Sequence, residues 1–113
     1  MQRGVLLVDG DDVSRAATEQ SLRAADYHVT SESSGEAAFD SLRTGYLPHL
    51  VLLAWASVDG DAFLESIRSH PFLAHLPVIV LADERPLDVG WLAYAPRPKD
   101  SDELLSMVQR YAR

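Results

Sequence analysis

Leu50-Val51-Leu52-Leu53-Ala54-Trp55-Ala56-Ser57-Val58-Asp59-Gly60 opens on aliphatic side chains and reaches its first carboxylate only at Asp59. Leu50 to Ala54 follow the turn Tyr46-Leu47-Pro48-His49 and read as a strand buried on both faces of a parallel sheet. Open α/β sheets gather their chemistry at the carboxyl ends of such strands. Here that end carries Ala54, Trp55, Ala56 and Ser57. Alanine offers no nucleophilic, acidic, basic or metal-ligating atom, so the strand has the shape of a reaction site and lacks the group that would react.

Toward the N-terminus, Val5 to Val8 form another buried strand, and Asp9-Gly10-Asp11-Asp12 is a turn into a helix. Asp12 is the expected N-cap of that helix, which runs from about Val13 to Ala25 with Val13, Ala17, Ser21 and Leu22 as its inward stripe. Tyr27 to Ser31 alternate as a shorter second strand. A helix from Gly35 or Glu36 to Arg43 buries Ala38, Phe39 and Leu42 and ends at Gly45. Beyond the central strand, Asp61 to Ser69 give a third helix with Phe63, Leu64 and Ile67 at helical spacing, stopped by Pro71.

Pro77 opens a further aliphatic strand, Val78 to Ala82. Pro86 and Gly90 leave DERPLDVG, residues 83–90, as a loop or at most one turn. Leu92 to Ala95 are a short last strand. Asp100 with Glu103 then starts a terminal helix to Arg113 that buries Leu104, Leu105, Val108 and Tyr111. The order is βαβαβαβ, a weak or missing helix, then βα, without a repeat or linker.

The 113 residues suffice for one independent core and not for two, so residues 1–113 are read as a single domain. No apolar run approaches the roughly 20 residues that span a bilayer. The apolar start is also too short for a signal peptide, so a cytoplasmic protein without a membrane role is expected. The absence of cysteine excludes disulfides, thiolate catalysis and zinc-cysteine sites. A net charge of -7 argues against nonspecific nucleic-acid binding, which needs Lys and Arg to neutralise phosphates. A protein partner is the default expectation, and a homodimer stays open.

Taken together and in order, these strings resemble the receiver domain of bacterial two-component response regulators over the whole chain. VLLVDGDD resembles the end of the family's first strand with its acidic turn, and PHLVLLAW its PDLVLLDL. DGDAFLESIRSHPFLAHLPVIVLA is similar to its third helix, loop and fourth strand. YAPRP is similar to its aromatic-x-x-Lys-Pro, and KDSDELLSMV to its final helix. The resemblance implies a flavodoxin-like, doubly wound five-stranded parallel sheet of order 2-1-3-4-5, with the fourth helix shortened or missing.

In that family two acids after the first strand and an Asp ending the third hold Mg²⁺. The same Asp accepts phosphate, a Ser/Thr ends the fourth strand, and a Lys ends the fifth. A carboxylate attacks phosphorus only where a metal offsets charge and fixed donors hold the oxygens. Asp9 matches the first acid, but Gly10 stands at the second, Ala54 replaces the phospho-acceptor, Ala82 the Ser/Thr and Arg97 the Lys. The loop Trp55 to Val58 is also shorter than the family's. The resemblance is therefore to a degenerate, or pseudo-, receiver, with no catalytic residue, no metal and no cofactor expected.

The reading that follows is a phosphorylation-independent interaction module of bacterial signalling that binds a protein partner. A Mg²⁺-dependent receiver is the alternative, with Asp11 or Asp12 as the missing ligand and Asp59 as a displaced acceptor. A sensor of a small anion in the pocket between Asp9, Ala54, Ala82 and Arg97 is a third. Trp55 and Trp91 are the candidate partner contacts, since tryptophan is enriched at binding hot spots. Against that, Trp55 also fits as a core residue folded over the space at Ala54. Tyr94 stands at the family's switching aromatic, where Ala82 offers no hydroxyl to pull on.

Overall fold

A computed structural model describes residues 3–82, 93–95 and 101–111. Its strands are β1 (Gly4–Val8), β2 (His28–Glu32), β3 (Leu50–Ala54), β4 (Val78–Leu81) and β5 (Ala93–Ala95). They pair in parallel in the order β2-β1-β3-β4-β5. The helices are α1 (Asp12–Ala24), α2 (Gly35–Arg43), α3 (Gly60–Arg68) and α4 (Ser101–Tyr111). The architecture is thus the flavodoxin-like α/β class with a parallel sheet. The stretch 83–90, where a fourth helix is expected to be cut down, lies outside the described residues.

Two cores lie on opposite faces of the sheet, and alternate residues of each central strand divide between them. Leu6, Val8, Val51, Leu53, Val78 and Val80 pack with Phe63, Leu64 and Ile67 of α3 and Ala38 and Leu42 of α2. Val5, Leu7, Leu50, Leu52, Ile79 and Leu81 pack with Leu22 of α1 and Leu104 and Val108 of α4. Burial on both faces is the reason β1, β3 and β4 have no polar positions in sequence.

Helix α1 differs from expectation by one residue. Asp11, not Asp12, is its N-cap, with the Asp11 carboxylate accepting from the Ser14 backbone N–H at 2.9 Å. Asp12 is the first helical residue and pairs with Arg15 at 2.6 Å. Val13, expected inward, is 81% exposed, and Ala17 is exposed too, leaving Leu22 as the fully buried residue of the helix. The half-buried positions Ser14, Arg15, Thr18, Ser21 and Ala25 recur at helical spacing and mark the true inward face, rotated from the expected stripe.

Both α1 and α2 end in the same way. After α1 the Tyr27 N–H reaches back to Leu22 O and Asp26 takes φ 71°; after α2 the Tyr46 N–H reaches Ser41 O and Gly45 takes φ 111°. Because Tyr27 N–H closes the helix, β2 begins at His28 and not at Tyr27. Helix α3 starts one residue earlier than expected, at Gly60, with Asp59 as cap accepting from Ala62 N–H at 3.1 Å. In α4, Leu104 and Val108 are buried as expected, Leu105 is half-buried where burial was expected, and the burial of Tyr111 lies outside what is described.

Candidate functional site

The sheet brings four of the expected site positions together at its carboxyl edge. Val8 pairs with Leu53 and Ala54 with Leu81, so Asp9, Ala54 and Ala82 emerge side by side, with Gly10 next in the turn. Asp9, Ala54 and Ala82 are buried, at 2%, 3% and 6% exposure. Arg97 and Trp91 lie outside the described residues. Tyr94 lies in β5, its backbone in register with Val80.

Among the described residues Asp9 is the one buried charged side chain, and a carboxylate taken out of water needs hydrogen bonds. Its Oδ1 accepts from the Asp11 N–H at 2.9 Å and from the Ser57 hydroxyl at 3.0 Å. Its backbone carbonyl accepts from Arg15 Nη1 at 2.9 Å, which fixes the turn to the first helix.

Ser57 comes from a residue type and position that carried no weight in the sequence reading. Residues Trp55–Ser57 wind into a 3₁₀ turn directly after β3, the sort of tight connection that a shortened loop imposes. That turn swings Ser57 back over the strand end. Its Oγ lies 3.1 Å from the Ala54 carbonyl, 3.0 Å from Asp9 Oδ1, and accepts from the Gly10 N–H at 2.9 Å. A single hydroxyl therefore joins β1, the acidic turn and the end of β3.

The approach is too close for any side chain at position 10. A Cβ on Gly10 would stand 2.2 Å from the Ser57 carbonyl oxygen, a backbone atom without a flexible end to move aside. The signal available in sequence was the pairing of Gly10 with a short loop at Trp55 to Val58, though neither alone names Ser57.

Trp55 is half-buried and packs against the core on the α2 and α3 face. Its six-membered ring covers Gly60, where an added Cβ would meet Trp55 Cε3 at 2.4 Å. The expected alternative to a partner contact was a Trp55 folded over the space at Ala54; the ring contact seen in the structure is with Gly60. Asp59 is committed to capping α3, and Asp11 to capping α1. Among the described residues no group of three His, Cys, Asp or Glu side chains is placed to hold a metal ion.

No family model matches the sequence. The chain is 34% identical over 121 residues to the DNA-binding transcriptional regulator NtrC of Klebsiella pneumoniae, a match that covers 97% of this chain and 25% of that protein. The chain therefore spans about a quarter of that curated relative's length. A putative response regulator from Chloroflexus aurantiacus superposes with a TM-score of 0.83 at 26% identity, covering 99% of this chain and 98% of that one. The receiver domain of sensor histidine kinase PA1611 from Pseudomonas aeruginosa, with a magnesium ion coordinated in its cleft, superposes with a TM-score of 0.85 at 22% identity, covering 99% and 98%.

Proposed function

Because the chain is a response-regulator receiver (CheY-like) domain, we propose that it acts as an interaction module whose signalling output does not depend on phosphorylation. The observation that carries this reading is the Ser57 hydroxyl seated on Asp9 Oδ1 and on the Gly10 N–H. A hard divalent cation takes six or more oxygen ligands. Here Gly10 and Ala54 supply no carboxylate, and Asp9 Oδ1 is already engaged twice. These residues do not fit a magnesium ion, and phosphoryl transfer to a carboxylate has no acceptor at Ala54. Asp59, the displaced acceptor of the alternative reading, turns Oδ1 to the Ala62 N–H as the cap of α3.

The domain is a signalling module rather than an enzyme, and its expected partner is another signalling protein. DNA binding, which the relative's name states, is a property of that longer protein. The acidic balance of -7 supports no nucleic-acid surface on this domain itself. No helix among the described residues is long and apolar enough to cross a membrane.

An amide NMR spectrum titrated with Mg²⁺ and then beryllofluoride tests the reading. Unmoved amides at residues 9–12 and 54–59 support it. A saturable shift centred there, at millimolar Mg²⁺, refutes it.

A further inference from the structure

The channel between α2 and α3 lies on the sheet face opposite α1 and α4 and takes no part in the closed site except at its upper rim. It is built of two adjoining hollows, of about 390 and 490 Å³, that share Phe39, Ala62 and Ser66. Phe39 and Phe63 give its floor an aromatic surface, while its walls carry the carboxylates of Glu36, Asp59 and Glu65, all on exposed residues. No Lys or Arg is among the residues that line either hollow.

At the lower end the aromatic surface continues out of the channel. His70 stands edge-on to Phe39 at 6.5 Å, and Phe72 tilts over His70 at 5.9 Å. Phe72 is 82% exposed, the most exposed large apolar side chain among the described residues. Aromatic faces attract Lys and Arg, and they also accept aliphatic side chains.

We propose that this channel docks a basic segment of a protein partner, one that carries Lys or Arg beside a bulky apolar side chain. The proposal rests on the reading of the chain as an interaction module and gives that module a surface. Charge complementarity chooses the occupant. A second copy of the chain would bring a net charge of -7 and the same carboxylates against this wall, and a nucleic acid would bring phosphates. Only a cationic segment lowers the energy of Glu36, Asp59 and Glu65 together. Asp59 and Glu65 stand six positions apart along one helix, about 9 Å of rise. An extended segment rises about 3.3 Å per residue with its side chains alternating. Basic side chains at i and i+2 therefore face the same wall about 7 Å apart and reach both acids, while an apolar residue between them turns toward Phe39.

The test uses the whole 113-residue chain as bait for a displayed library of random 12-residue peptides. Enriched peptides are then bound to the wild type and to the Glu36→Gln/Glu65→Lys variant, with far-UV circular dichroism to confirm that the variant folds. The expected result is enrichment of Lys or Arg with a bulky apolar residue, affinity weakened about tenfold in the variant, and amide shifts at residues 33–39, 59–66 and 70–73. Phe72→Ser, at an exposed site, weakens the same peptides. Three results overturn the proposal: no enrichment, peptides without basic residues, or peptides that bind the variant as tightly and shift α4. These leave the phosphorylation-independent reading standing, whereas a beryllofluoride response at Asp9 and Ala54 removes that reading and leaves the channel.

Discussion

Replacing Gly10 by alanine separates a closed site from an open one by the sign of its effect on stability. Gly10 does not take the left-handed backbone conformation. In an open turn the substitution would therefore stabilise the fold by about 0.4–1 kcal/mol, through lost freedom of the unfolded chain. In this structure the new Cβ meets the Ser57 carbonyl oxygen at 2.2 Å. Overpacking of that kind costs about 1–3 kcal/mol, and forcing the turn away also weakens the Gly10 N–H to Ser57 Oγ bond, worth about 0.5–1.5 kcal/mol. With the entropic gain subtracted, the net loss is about 1–3 kcal/mol, or a fall in Tm of about 4–12 °C at roughly 4 °C per kcal/mol for a chain of this size. Urea and thermal unfolding followed by circular dichroism measure it directly. A Gly10→Ala chain as stable as the wild type, or more so, refutes the seating of the 55–57 turn on the acidic loop.

Ser57→Ala removes a donor to a buried carboxylate and an acceptor from Gly10, and is expected to lower stability by about 1–3 kcal/mol in urea melts; Ser57→Thr, which keeps the hydroxyl, should recover part of that. Ala54→Asp alone is expected to yield no acyl-phosphate labelling with acetyl phosphate and Mg²⁺, since Gly10 and Ala82 still lack their side-chain oxygens; labelling near one phosphate per chain would mean that the pocket is otherwise intact. Gly60→Ala should be destabilising while Trp55 covers that position and stabilising by up to about 1 kcal/mol once Trp55→Ala has cleared it. A double-mutant cycle should therefore return an interaction energy of about 1–3 kcal/mol, and additivity would show that the indole does not lie on Gly60.

The sheet was legible because its central strands are buried twice. Leu50 to Ala54 form β3 to the residue, since a strand covered on both faces must be aliphatic throughout and its ends show where that requirement stops. Helix α1 was legible only in extent. Its inward face carries Ser14, Thr18 and Ser21 in place of an aliphatic stripe, and two adjacent aspartates compete for the cap, so the register slipped by one and sent Val13 to the wrong side. Asp9, Gly10, Ala54 and Ala82 were placed by where strands end. Ser57 was not, because its role depends on a 3₁₀ turn that brings it 48 positions back along the chain to Asp9. No local pattern records a contact of that span.

Gly10 and the 55–57 turn are coupled rather than independent. A carboxylate at position 10 would need a Cβ where the Ser57 carbonyl stands, so the acid and the collapsed turn exclude each other. Among the described residues the buried Asp9 carboxylate is met by hydrogen bonds. The turn supplies one through Ser57, and the acidic loop supplies another through the Asp11 N–H, whose own side chain is held by capping α1. Asp9 thus acts as a fastening between β1, β3 and α1. On the proposed reading, a carboxylate introduced at position 54 alone gains neither the space nor the partners that a metal ion needs, and one at position 10 requires the 55–57 turn to be rebuilt with it.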